Sequence, residues 1–384
     1  MQNKYVFFSL LLLAIIGSSL YYNTVLVDSQ SYVLSTYYMQ GKTLLPEDEE
    51  RVLVSYTFAR PFLIVLTSVV EPFVGIRQAF SIINLLLYIG STFLVFYYCK
   101  RKYTNEIIAY IAAGLYATSL PIIVYGSRIL SDISGYFFLI LGIYCIDKFL
   151  EKKNWGYHLL IVLYISVSLL VREYCMILIP YYVLSLFITN ELSFKSILQS
   201  IKKNIKYCLL LILIPLPLIL FSKIYHSLLF FSNKTAEFSF EKLSLLGFVK
   251  FIFVIFFTFH ILWFLFLYAL KQDKERKSYY LSGLISTVPL IIGAYLFALL
   301  SPRMVFILFP FIIPAAAYSI YEIAKRYDKY QFSIIFGTLL FYALLSYCGA
   351  WLYPSHTLIP EAAGGNVVLQ AIFLEIQQKI GGLL

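Results

Sequence analysis

Charge is what this chain has least of: only 13% of its 384 residues are Asp, Glu, Lys or Arg, against 61% hydrophobic, and mean hydropathy is +0.82. Soluble domains are about 45–50% apolar, and a chain this apolar has too little polar surface to cover itself in water, which excludes a soluble globular fold. Cysteine is sparse too. Cys99, Cys145, Cys175, Cys208 and Cys348 lie in or beside apolar runs at no metal-like spacing and read as buried thiols. His158, His226, His260 and His356 are scattered. His260 falls inside an apolar run and reads as a hydrogen-bonded packing residue, and only His226, beside Lys223, could line an outer cavity. No P-loop, dinucleotide fingerprint or Ser-His-Asp order is present, so no nucleotide site is legible. Internal repeats and low-complexity tracts are also lacking, which weighs against transporters built from repeats.

What is present is a series of apolar runs separated by short charged loops, the pattern a bilayer core roughly 30 Å thick imposes on α-helices. The expected fold is all-α and integral to the membrane, with about eleven transmembrane helices. They are placed near 5–26, 78–99, 106–125, 133–150, 156–171, 174–189, 207–222, 247–270, 279–300, 304–324 and 331–353. The first run, Tyr5 to Leu26, is too long for a signal-peptide core and reads as a retained helix. Residues 1–353 form one membrane domain, and 354–384 a short external tail that either docks as a surface helix or is poorly ordered.

Lys and Arg collect in short cytoplasmic loops. With the N-terminus inside, Lys100-Arg101-Lys102, Lys152-Lys153, Lys202-Lys203, Lys271 to Lys277 and Lys325-Arg326 all face the cytoplasm, and the net charge of +10 sits on that side. Merging 156–189 into one kinked span would scatter these clusters. The basic balance is therefore a topology signal and not a nucleic-acid surface. The 34 Tyr and 34 Phe suit lipid-facing helices with interfacial belts.

The outer side carries the chemistry. A first external loop, residues 27–77, holds Asp28, Tyr32, the acidic run Glu47-Asp48-Glu49-Glu50, Arg51 and Arg60-Pro61. Within it, Phe62 to Val70 is too short to span and reads as a helix lying in the interface and ending at Glu71-Pro72. Three short outer loops place charge at the bilayer boundary: Arg128 with Asp132, Arg172 with Glu173, and Ser301-Pro302-Arg303. A single such residue can snorkel to water. Several converging from different helices point to an outward-facing cavity that mixes carboxylates with guanidinium groups. Such a cavity suits a phosphate-bearing lipid and a hydroxyl nucleophile, because Arg grips phosphate as a fork and a carboxylate accepts a proton.

These residues resemble the GT-C superfamily of integral-membrane glycosyltransferases. Asp28-Ser29-Gln30-Ser31-Tyr32, with Gly41-Lys42 and Ala59-Arg60-Pro61-Phe62-Leu63, is similar to their first external loop. Ser127-Arg128-Ile129-Leu130-Ser131-Asp132, leading into Gly135-Tyr136-Phe137-Phe138, resembles the second external-loop Asp at the start of a span. Leu170-Val171-Arg172-Glu173, with Leu178-Ile179-Pro180, resembles the basic residue between two short spans, and Pro302-Arg303 through Pro310 the late span that opens on a basic residue. Order and topology agree over roughly residues 5 to 325.

The resemblance implies transfer of a sugar from a polyprenyl-phosphate carrier to a glycan, lipid or protein acceptor at the external leaflet, generally with inversion. Asp28 would be the general base. Asp132 would be a second carboxylate that positions the acceptor or, with Asp28, holds a divalent cation such as Mg or Mn, metal use varying within the superfamily. Arg172 and Arg303 would bind the carrier phosphate. Tyr32, Arg60, Arg128, Glu173 and His226 would line the cavity. The lack of a Trp-Trp-Asp sequence argues against oligosaccharyl transfer to asparagine, and the chain is short beside protein mannosyltransferases. Asn233-Lys234-Thr235 fits a glycosylation tripeptide that is common by chance. The alternatives are a lipid-linked glycan polymerase or ligase, whose large catalytic loop comes late in the chain, and a transporter or flippase, which would place ionisable residues and broken helices near the midplane. Lys-rich inner loops beside abundant Ile, Phe and Tyr suggest a bacterial or archaeal plasma membrane.

Overall fold

The computed structural model describes residues 9, 11–12, 15, 27–53, 60–126, 128–152, 154–188, 194–217, 245–296 and 301–352. Among these every regular element is helical and no strand occurs. Most of the first expected span, His226, His356, Asn233 and the tail after 353 lie outside them. So do the end of the 207–222 span and the last residues of the 279–300 span.

Among the described residues four helices are long and apolar enough to cross a membrane: Ile76–Tyr103, Asp132–Leu150, Pro302–Lys325 and Asp328–Ala350. A fifth span results if Phe251–Phe259 and Leu262–Gln272 are taken together. The protein is thus an integral membrane protein built on a helical bundle. The expected spans at 156–171 and 174–189 are the shorter apolar helices Trp155–Leu169 and Glu173–Phe187. Pro302–Lys325 has 89% of its apolar window buried, against 33–50% for the other three, and is therefore the central helix. The others present one side outward, as lipid-facing helices do.

In chain order, α1 is Val27–Met39, α2 Pro46–Leu53, α3 Pro61–Val74, α4 Ile76–Tyr103, α5 Glu106–Ala117, α6 Leu120–Tyr125 and α7 Asp132–Leu150. The first loop is therefore largely structured. Its apolar helix, α3, does not stop at Glu71-Pro72 but runs on to Val74 and ends at Gly75, whose φ of 82° is a left-handed value that suits glycine. A proline inside a helix leaves the carbonyl four residues earlier without its N–H partner. At Pro72 that carbonyl is Ser68 O, and Gln40 Nε2 donates to it at 3.0 Å while also holding Glu71 Oε2 at 2.9 Å. The side chain of Gln40 thus permits the helix to continue.

The same device recurs in the bundle. The expected single span 106–125 breaks between α5 and α6, where Thr118 and Ser119 turn their hydroxyls back on Gly114 O and Tyr116 O. Pro121 cannot serve Ala117 O, and the buried Tyr88 hydroxyl of α4 donates to it at 3.0 Å. In the central helix Pro314 cannot serve Pro310 O, and Tyr279 donates to it instead. An unserved carbonyl in apolar surroundings costs far more than one facing water.

The expected span 247–270 is also not continuous. Phe251–Phe259 and Leu262–Gln272 meet at 79°. His260 sits at the break with φ 45°, a left-handed conformation that ends one helix before the next begins. Its ring packs on Phe257 and near Tyr342, and Nδ1 makes no hydrogen bond, so it is a packing residue without the expected hydrogen bond at that atom.

Replacing the tyrosine that serves the freed Ala117 carbonyl tests this reading of the prolines. Tyr88→Phe should lower the stability of the purified protein by about 1–3 kcal/mol, the usual cost of orphaning a buried hydrogen-bonding group, as read from the thermal melt in detergent. An unchanged melt would show that the carbonyl needs no partner.

Candidate active site

The candidate site is organised around two arginines that end on one tyrosine. Arg172 follows Trp155–Leu169 in an extended conformation and precedes the 3₁₀ turn Glu173–Ile177. This short turn projects its side chain back among the helix ends. Arg172 is 3% exposed, yet its guanidinium is well met: Nη2 donates to Asp132 Oδ1 at 3.1 Å, and Nη1 to Ser131 Oγ at 2.6 Å and Tyr32 OH at 3.2 Å. Arg60, just before Pro61 of α3, is also buried. Its Nε donates to Glu173 Oε2 at 2.8 Å and its Nη2 to Oε1, a fork on the carboxylate, while Nη1 reaches Tyr32 OH at 3.1 Å.

Tyr32 is the meeting point. It lies on α1, is completely buried, and its hydroxyl is shared by both guanidiniums and by Ser131 Oγ. The hydroxyl can accept from the arginines and donate to the serine, and that satisfies three elements at once. Ser131 carries no such signal in the sequence. A serine before Asp132 looks like a helix cap there, and only the fold shows that it is an arginine ligand.

Asp132 opens α7 and is wholly buried. Its Oδ1 takes the Arg172 bond, while Oδ2 makes no hydrogen bond and faces Arg303 Nη1 at 3.9 Å. Arg303 keeps 27% of its side chain exposed, so of the two cations beside Asp132 it is the one within reach of an incoming group. The backbone around this carboxylate is clamped as well. Tyr174 OH donates to Asp132 O at 2.6 Å, and Tyr136 OH to Arg303 O at 2.8 Å. Gly135 makes the first clamp possible, since a Cβ there would meet the Tyr174 ring and hydroxyl at about 2.5–2.6 Å. Arg128 stands slightly apart. Its guanidinium and that of Arg303 each lie 5.9 Å from the Tyr125 ring, which bridges them by cation–π contact.

Tyr32, Arg60, Asp132, Arg172, Glu173 and Arg303 are therefore drawn into one cluster, with Arg128 joined through Tyr125. His226 lies outside the described residues. Asp28 is in the first turn of α1, and its backbone position falls one helical turn before Tyr32, on the same face.

The surroundings of Asp132 do not suit a divalent cation. Such an ion needs several oxygen ligands and little positive charge nearby, whereas Asp132 lies between two guanidiniums. Among the described residues no group of three His, Cys, Asp or Glu side chains could hold a metal.

Glu173 opens the 3₁₀ turn, with 38% of its side chain exposed. Partial burial pushes its pKa up, but the charges of Arg60 and Arg172 outweigh this and hold it down at about 2, against an ordinary 4.5. A carboxylate whose folded pKa is depressed lends stability that is complete above its unfolded pKa and is lost as the pH falls through the folded one. The stability difference between wild type and Glu173→Gln should accordingly be constant from neutral pH down to about pH 5.5, shrink below about 4.5, and vanish near 2. Melts across that range check it, and a difference already gone at pH 5 would mean that the arginines do not hold the carboxylate.

Removing the charge of Asp132 should be far costlier, because Arg172 would be left buried without its counter-ion. Asp132→Asn should destabilise the protein by about 3–5 kcal/mol, and Asp132→Asn combined with Arg172→Gln by less than Asp132→Asn alone. Equal melts for the two variants would refute the pairing.

No curated protein matches the chain. Residues 62–221 match the family model described as dolichyl-phosphate-mannose-protein mannosyltransferase. The matched stretch includes Arg128, Asp132, Arg172 and Glu173, while Asp28, Tyr32, Arg60 and Arg303 lie outside it. Over that stretch the chain is similar to a glycosyltransferase family of the GT-C superfamily, the superfamily that its motifs resemble.

Proposed function

We propose that this protein transfers a sugar from a polyprenyl-phosphate carrier to an acceptor hydroxyl at the external face of the membrane, with inversion at the anomeric carbon. The observation that carries the reading is the convergence of Arg172, Arg303 and Asp132, from separate helix ends, beside the helix that bears Asp28. Similarity to a family named for a dolichyl-phosphate-mannose donor supports the carrier class. Mannose and a protein acceptor belong to that family's description.

In this mechanism Asp28 accepts the proton of the acceptor hydroxyl. The oxygen attacks the anomeric carbon from the side opposite the phosphate, the bond between that carbon and the phosphate oxygen breaks, and the electron pair leaves with the polyprenyl phosphate. Arg303, the exposed guanidinium, receives the leaving phosphate, and Arg172 adds a fixed positive field behind it. Asp132 acts as a positioning residue that keeps Arg172 and Arg303 aimed together. Arg60, Tyr32 and Glu173 hold α1 and α3 against this centre, so Asp28 is presented on a braced helix.

One observation bears on transport. The break at His260 is the kind of broken span that a transporter would use. It carries an imidazole packed among aromatic rings, and the carboxylates and arginines of the described cluster sit at helix ends, which favours chemistry.

Purified protein supplied with a panel of radiolabelled polyprenyl-phosphate sugars and membrane-extract acceptors provides the test. Asp28→Asn should lose about 10²–10⁴-fold in turnover while still binding carrier, and Arg303→Gln should raise the donor KM. Undiminished transfer by Asp28→Asn would sink the base assignment, and no transfer from any carrier by folded wild type would sink the enzymatic reading.

A further inference from the structure

The far ends of the same helices line an open polar cavity, of about 510 Å3, which the transfer chemistry does not use. It is lined by the C-terminal ends of α4 and α7, by Tyr181 of the helix Leu178–Phe187, and by the start of the helix Lys277–Leu296. Asp132 begins α7 and Leu150 ends it, so the two sites are separated by the length of that helix, about 28 Å at 1.5 Å per residue. One membrane-spanning helix thus carries a polar site at each end. The charge bias of the loops predicts that this second end is cytoplasmic.

The lining has both signs in equal measure. Arg101, Lys102 and Arg276 face Asp147, Glu151 and Glu275. Asp147 is fully engaged, taking Lys102 Nζ at 2.7 Å, Tyr98 OH at 3.1 Å and Tyr181 OH at 2.8 Å. Arg276 Nη1 lies 3.0 Å from the buried Asp273, outside the cavity lining, and 3.6 Å from Glu275. Arg101 is different. Its Nη2 holds Glu151 at 2.8 Å, but its Nη1 is buried and makes no hydrogen bond. The Arg101 side chain is 33% exposed and its bonded partner is a carboxylate at the rim, so an anionic group can compete with Glu151 for Nη2. Glu151 and Glu275, with side chains 70% and 84% exposed, are loosely held at the rim.

A simple anion entering this mouth would meet three carboxylates, and a simple cation three positive groups. A molecule that carries both charges close together can exchange partners with the rim pairs at little electrostatic cost. Its phosphate would go to Arg101 and Arg276, and its ammonium to Glu151 and Glu275. The exposed rim carboxylates accept hydrogen bonds, which a primary ammonium can donate and a quaternary one cannot. The level is that of lipid headgroups, where the spans end and tyrosine rings collect. The volume falls within the roughly 300–1,000 Å3 usual for small-molecule sites. We infer that this cavity binds the phosphoethanolamine headgroup of a phospholipid of the cytoplasmic leaflet.

The test is native mass spectrometry of the delipidated full-length protein offered equal amounts of phosphatidylethanolamine, phosphatidylcholine and phosphatidylglycerol, with soluble O-phosphoethanolamine as competitor. Phosphatidylethanolamine should be retained about tenfold more than either other lipid. Arg101→Gln should lower its retention, and Glu151→Gln, at an exposed residue with an unchanged melt, should erase the preference over phosphatidylcholine. Equal retention of the three lipids, or strongest retention of phosphatidylglycerol, would overturn the zwitterion assignment. Displacement of lipid by equimolar O-phosphoethanolamine would overturn the lipid as its source. None of these readouts depends on sugar transfer.

Discussion

The buried ion pair between Arg172 and Asp132 is the constraint on which this end of the bundle depends. A buried guanidinium needs a counter-charge and acceptors, and the fold gives both Nη atoms of this one partners in a carboxylate from α7, a serine beside it and a tyrosine from α1, leaving Nε unbonded 3.9 Å from Glu173. Elements far apart in sequence are held together because one charge requires them all. Arg60 repeats the arrangement from α3, forked on Glu173 and sharing the same tyrosine. The result is a lattice in which Arg60 and Arg172 are deeply enclosed, while the more exposed Arg303 is left facing outward beside the unbonded oxygen of Asp132.

Much of this is legible in the amino-acid sequence. Membrane embedding follows from composition alone, and the candidate residues at helix ends can be chosen because charge is so rare in this chain that each instance stands out. The pairings are harder to read. Arg172 and Arg303 look alike in sequence, each a lone arginine at a span end, yet one is sealed into an ion pair and the other reaches solvent. Only the packing of the Glu173–Ile177 turn against α7 separates them. Ser131 and Tyr125 give no signal, since hydroxyls and rings abound at every helix end here.

Helix continuity is misleading in sequence for a related reason. Proline reads as punctuation at Pro72 and passes without a break at Pro121, and the structure reverses both. At both prolines a distant side chain serves the stranded carbonyl, and whether the helix continues is decided by what the residues just before the proline do. Gln40, some thirty residues earlier in the chain, serves it at Pro72. Near Pro121 the carbonyl is served by Tyr88, but the chain has already turned at Thr118-Ser119. His260 is a further case, because nothing local in an unbroken apolar run announces a left-handed residue.

The Gln40 contact has a mechanical side. It fastens the end of α1 to the middle of α3, and Lys42 adds a second tie to Glu71. One side of α3 is a row of exposed apolar side chains, Val65, Val69 and Phe73 among them. That helix is thereby tied to the one that carries Asp28, and both are pinned to Arg172 and Glu173 through Tyr32 and Arg60. A push on the exposed side of α3 is therefore passed through these ties into the buried ion pair instead of tilting α3 alone.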